Sequence, residues 1–244
     1  MKIDQAIEIL KPHAIEVYGS QYKKEVENVA VHTNILQSKS RSIERDAKKM
    51  GLNNNDSRAI ALCSFRVDSS RKQVYRYIII PRTDDDNELL YLLSHELFGH
   101  AIGNLKNNIK FTTDGTVARY YTGFAYKDFV NSKVMHVALA EGFALYIDKK
   151  MCNLMGINPL KYRGYLTRGK ILAEEVITFL LEEDMELRKL ILDSYIYKNK
   201  DINDIVNIGE LSEILDVLDN PWYENKCLEK NIRSTIQSKV LLKK

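Results

Sequence analysis

The chain has 244 residues, 45% of them hydrophobic and 28% charged, which supplies a sizeable core and argues against disorder as its main state. A balance of 36 basic and 33 acidic side chains leaves a formal charge of +3, without the concentrated basic face of a dedicated nucleic-acid binder. No window approaches the ~18 consecutive apolar residues of a membrane span, and Cys63, Cys152 and Cys227 form no C-x-x-C pair, so neither membrane insertion nor a cysteine zinc site is expected. The start, "MKIDQAIEILKPHA", lacks a basic segment followed by a long apolar run, so cytoplasmic location is the expectation.

Residues 3–50 read as helical: Ile3, Ile7 and Leu10 recur at helical spacing, and a second stretch runs from Gln21 to Met50. "GLNNNDS" (51–57) is a break, because Gly and Asn accept turn conformations at little cost. The period then changes to that of strands. "AIALCSFRV" and "QVYRYIII", separated by the polar "DSSRK", read as a hairpin. Pro81 ends the second strand, and "TDDDNE" supplies an N-cap and an acidic first turn to a helix over about 85–102.

The stretch from Asn104 to Asp128 reads as polar, with several turn signals and a cluster of aromatics. A strongly apolar helix is expected from Val130 to about Met151. Further helices are expected around 161–182, 184–198, 210–218 and 222–242, broken at Gly156 with Pro159 and at Asn220-Pro221. The fold class this implies is α+β, mostly α, with a small β-hairpin or sheet packed on a central pair of metal-binding helices. Three segments follow: an N-terminal helical segment (1–55), a core with the hairpin and the two helices (56–155), and a C-terminal helical subdomain (156–244).

"LLSHELFGHAIG" (92–103) is the stretch that bears on chemistry. Histidines four apart on an α-helix project about 40° apart and grip one metal. His95 and His100 are five apart, which gives about 140° on a regular α-helix and prevents a shared ion. A π-bulge absorbs one residue, and Gly99, without a Cβ, eases distortion there. Leu89, Leu92, Leu93, Leu97 and Ala101 form an apolar stripe with Glu96 and His100 on or beside it. Burying a carboxylate and an imidazole together in such surroundings is costly unless they are paired or bind an ion.

A second pattern stands apart from the first. In "NSKVMHVALAEGFALYIDKK", Glu141 shares helical spacing with Val134, Val137, Ala138 and Leu145, so a lone acidic residue lies on a core-facing stripe. A buried glutamate that stays ionised requires a strong positive partner, and a divalent ion fits. His95, His100 and Glu141 then form a set of three protein ligands with an open fourth position, the arrangement of catalytic rather than structural zinc.

At these residues the chain resembles the gluzincin metallopeptidases. "LAEGFALY" is similar to the N-E-G-F-A glutamate helix of the aminopeptidase N family. "HELFGH" is similar to the H-E-x-x-x-H variant, which the microtubule-associated tyrosine carboxypeptidases and their bacterial relatives pair with an E-G-L-A-like motif. The resemblance covers about residues 88–148 and implies a minimal gluzincin-like fold, His95, His100 and Glu141 as zinc ligands, and Glu96 as general base. Ala140 stands where the aminopeptidases carry Asn, so their handling of a substrate amino terminus is not implied.

The activity expected is zinc-dependent hydrolysis of a peptide bond in a peptide or protein substrate, with Glu96 taking a proton from water and returning it to the leaving amine. Oxyanion donors are sought among Tyr120, Tyr121, Tyr126, His136, Tyr162 and Tyr165, with "KYRGYLTRGK" (161–170) foremost. Tyr162 and Tyr165 are the catalytic candidates there, and Arg163 or Arg168 the candidates to hold a substrate carboxylate. His13 and His32 read as ordinary surface or core residues. Two rivals remain. The same ligands suit Fe2+ in a non-haem oxygenase, since aromatic amino-acid hydroxylases carry a similar H-E-L-L-G-H stretch with a distant glutamate. The other rival is a non-catalytic scaffold.

Overall fold

A computed structural model describes residues 1–38, 43–50, 61–68, 73–105, 108–164, 166–197, 201–220 and 226–237. The "GLNNNDS" break and most of the "DSSRK" turn lie outside the described residues. The described elements are mostly helical with two small sheets, so the α+β, mostly α class holds. Among the described residues, no helix is long and apolar enough to cross a membrane. The chain divides into two units, Met1–Leu105 with Ile147–Tyr165, and Lys106–Tyr146 with Leu166–Lys244. This division differs from the three consecutive segments expected at 1–55, 56–155 and 156–244: the N-terminal helices share a unit with the hairpin, and one helix serves both units.

In the first unit, helix α1 (Ile3–Tyr18) buries Ala6, Leu10, Ala14 and Val17, one residue per turn of a single face. Helix α2 (Lys23–Val31) follows, then strand β1 (Thr33–Gln37) and the short helix α3 (Glu44–Lys49). The continuous helical reading of Gln21–Met50 is therefore corrected. β1 pairs in parallel with β3 (Gln73–Ile80), from Thr33 opposite Arg76 to Gln37 opposite Ile80. A partner strand some forty residues away supplies the hydrogen bonds, and this overrides the local period. The expected hairpin is present: β2 (Leu62–Asp68) runs antiparallel to β3, which lies at the centre of the sheet.

Helix α4 (Asp86–Leu93) begins as "TDDDNE" predicts. The Asp85 carboxylate accepts the backbone N–H groups of Asn87 and Glu88, two of the donors a helix start leaves without partners. α4 then passes into a π-helical turn, Ser94–His100, and a 3-10 turn, Ala101–Asn104. Leu89 to Leu93, Leu97 and Phe98 are all buried, and α1 and α2 pack against this segment.

The second unit holds a four-stranded antiparallel meander, β4 (Asn108–Phe111), β5 (Val117–Thr122), β6 (Ala125–Asp128) and β7 (Lys133–Met135). The polar stretch is thus a sheet, and the helix expected from Val130 starts only after a turn and a strand. The turn signals are the hairpin corners: Gly115 and Gly123 take positive φ, and Asp128 accepts from the N–H groups of Val130 and Asn131.

Helix α5 (Val137–Leu154) is unbroken; its first half belongs to the second unit and its second half to the first. Its start is fixed by His136, at φ 60°, and by Asp216, whose carboxylate accepts the Ala138 N–H at 2.8 Å. Helices α6 (Arg168–Glu183), α7 (Met185–Tyr197), α8 (Ile202–Ile205), α9 (Gly209–Leu218) and α10 (Lys226–Gln237) complete the second unit, with α7, α9 and α10 packed on α6. Gly142 of α5 lies against α6 so closely that a Cβ there would sit 2.5 Å from the Ala173 carbonyl carbon.

Candidate metal centre

The extra residue in H-E-x-x-x-H is absorbed where the sequence requires it. Across Ser94–His100 the helix widens, and the Ala101 N–H reaches back to the carbonyl of Glu96 as well as that of Leu97. Bonds of the i to i+5 kind define a π-turn. The buried Tyr18 hydroxyl donates to the Phe98 carbonyl inside this turn at 2.5 Å, a contact from α1 that supports the distorted backbone. The wider turn brings the two imidazoles to one side, with ring centroids 4.9 Å apart and planes at 80°.

Glu141 completes the group. Among the described residues, one ligand atom each from His95, His100 and Glu141 lies within 4.8 Å of the other two. His95 is buried, and His100 and Glu141 are partly so. Two imidazole nitrogens and a carboxylate oxygen form a donor set that suits Zn2+, Fe2+ and neighbouring divalent ions. Bonds of about 2.1 Å in a tetrahedron place ligands roughly 3.4 Å apart, somewhat closer than the outer limit of this group. A partly buried His–His–Glu group able to hold a metal ion is therefore present. Glu96, 6% exposed, lies in the same π-turn between the two histidines.

Sequence reasoning missed the residue behind His95. Asp148 is fully buried, and its Oδ2 is 2.9 Å from Nδ1 of His95. An ionised carboxylate only accepts, so Nδ1 carries the hydrogen and Nε2 keeps its lone pair for an ion. Oδ1 of Asp148 accepts from the Arg163 guanidinium at 2.9 Å, and the Arg163 side chain is only 7% exposed. The signal was available. Asp148 follows Glu141 by seven residues, about 20° around the same helix, so α5 carries two acidic residues on one face.

Cys152, one turn beyond Asp148, is held as an inert thiol. Burial and the neighbouring Asp148 carboxylate push its pKa up to about 12, against an opposing pull from Arg163.

Several candidates have partners of their own. The Tyr162 hydroxyl donates to Asp85 Oδ2 at 2.9 Å, and its ring stacks on Tyr91 at 5.9 Å. That hydrogen bond leads the influences that hold the Asp85 carboxyl below its ordinary range. Tyr165 and the side chain of Tyr121 lie outside the described residues. Tyr126 donates to Asp128, and Tyr120 packs on Phe129. His136 is bonded to Ser212 and Asn203. Arg163, read as a carboxylate clamp, is committed to Asp148, and Arg168 lies 3.7 Å from Glu229.

A cation stands beside Glu141 in this group. Lys170 Nζ stands 3.8 Å from Glu141 Oε1, with both side chains about four-fifths buried (20% and 23% exposed). No known family, curated protein or solved structure matches the chain.

Proposed function

We propose that the chain is a zinc-dependent metallopeptidase with Glu96 as general base. The observation that carries the reading is the convergence of His95, His100 and Glu141 through a π-helical turn at the point where the spacing demands one. Such turns cost backbone regularity and recur at functional sites. His95, His100 and Glu141 would hold the ion, and zinc so held supplies a lowered pKa to water and polarises a carbonyl.

The chain's own residues account for the rest. Asp148 fixes the His95 tautomer and ring orientation, and Arg163 holds Asp148 in place. Glu96 stands next to a ligand outside the ligand set, so its carboxylate accepts a proton from water and delivers it to the leaving amine. The substrate class is a peptide or protein. Support for the gluzincin resemblance is the shared pairing of an H-E-x-x-x-H turn with a glutamate on a following helix.

The test is metal analysis of protein purified without added ions, followed by Glu96→Gln. About one equivalent of zinc and a folded, metal-loaded but inactive variant are expected. One equivalent of iron would instead favour the oxygenase reading. Undiminished peptide hydrolysis in Glu96→Gln would remove Glu96 from the mechanism.

A further inference from the structure

We infer that Lys170 is the resident counter-ion of this centre: its ammonium holds Glu141 when no metal is bound, and a divalent ion must displace it to load. The inference rests on the metal-centre reading above and adds a residue that regulates loading.

Lys170 lies in the first turn of α6, where the helix macrodipole already presents positive potential. A cation is poorly placed there unless an anion faces it. Glu141 does so at 3.8 Å, with both side chains about four-fifths removed from water. Their approach is built into the backbone. Gly142, next to Glu141, has no room for a Cβ against Ala173 and Glu174 of α6, so glycine is what lets α5 come close enough for the pair to form.

The electrostatics follow from the charges. Two neutral imidazoles and one carboxylate offer a divalent ion a single negative charge. An ammonium on that same carboxylate competes for its oxygen and repels the incoming ion. In a largely buried site these interactions act across a reduced effective dielectric and are only partly screened. The metal-free chain thereby keeps a cation beside a largely buried glutamate. Loading becomes an exchange of one cation for another, which lowers affinity and speeds release.

The experiment uses the full chain, stripped with a chelator and titrated with zinc chloride against a chromophoric competitor, alongside thermal unfolding with and without metal. Lys170→Gln should bind zinc about tenfold or more tightly than the unsubstituted protein, while its metal-free form melts at a lower temperature. Lys170→Arg, which keeps the charge, should resemble the unsubstituted protein in both. If Lys170→Gln does not fold, Lys170→Met read against Lys170→Arg carries the same comparison. Equal zinc affinity in the unsubstituted and charge-free chains, with both binding, overturns the counter-ion role and leaves the metal centre standing. No zinc binding by any of them removes the centre itself, and the inference with it.

Discussion

Asp148 is the residue whose substitution separates structure from site. Asp148→Asn keeps the shape of the side chain and an oxygen that can accept from His95, but it removes the charge facing Arg163. Arg163, with 7% of its side chain exposed, then loses the Asp148 carboxylate it faces. Breaking a buried ion pair from one side costs about 3–5 kcal/mol. For a chain of this size each kcal/mol shifts the melting midpoint by roughly 2–4 °C, so a fall of about 10 °C is expected. A weaker acceptor on His95 also lowers the basicity of the ligating nitrogen, which should weaken zinc binding about 10–100-fold. The double variant Asp148→Asn/Arg163→Met distinguishes the two losses, because it removes the stranded charge without restoring the carboxylate. Its melting temperature should recover most of the loss while its zinc affinity stays low, as read by chelator competition and thermal unfolding. A melting shift under about 2 °C in Asp148→Asn, together with unchanged zinc affinity, would refute the assignment of Asp148 to both roles.

Three further outcomes follow. Gly142→Val should destabilise by about 1–3 kcal/mol, because its Cβ would lie 2.5 Å from α6 backbone; by forcing α5 from α6 it should also loosen the Lys170–Glu141 pair, read as altered zinc affinity. Asp128 is subject to opposing influences: burial raises its pKa, while hydrogen bonds from Asn131 and Tyr126 and the charge of Arg119 outweigh burial and lower it from 3.8 to about 2. A depressed carboxyl contributes stability that is full above its unfolded value and lost as pH falls through its folded one. The melting difference between the unsubstituted chain and Asp128→Asn should therefore be constant above about pH 5, shrink as pH falls through about 2 and vanish by about pH 1; a difference independent of pH would refute this. Finally, iodoacetamide at pH 8 should modify the exposed Cys227 in the folded chain and reach Cys152, whose thiol is pushed up to about 12, only after unfolding. Mass spectrometry of the labelled peptides decides it.

The helices that carry their own signals were legible from residue order alone. α4 starts at its acidic cap, α7 and α9 begin within about one residue of the expected positions while α6 begins only at Arg168 rather than 161, and the hairpin of β2 and β3 follows its change of period. The grouping of His95, His100 and Glu141, which could hold a metal ion, was also legible, since residue type and spacing along each helix report which side chains share a face. What depends on distant partners was not. β1 is a strand because β3 lies beside it, and the meander of β4 to β7 emerged only when its turns closed successive strands on one another. The histidine spacing demands a π-turn, but its support comes from Tyr18, eighty residues away, whose hydroxyl donates to the Phe98 carbonyl. Asp148 with Arg163, and Lys170 with Glu141, are pairs of charges whose meaning lies in the distance between side chains. Local sequence sets the period of a backbone and the face a residue occupies, but packing alone decides which faces meet, and the tuning of this site is a matter of which faces meet.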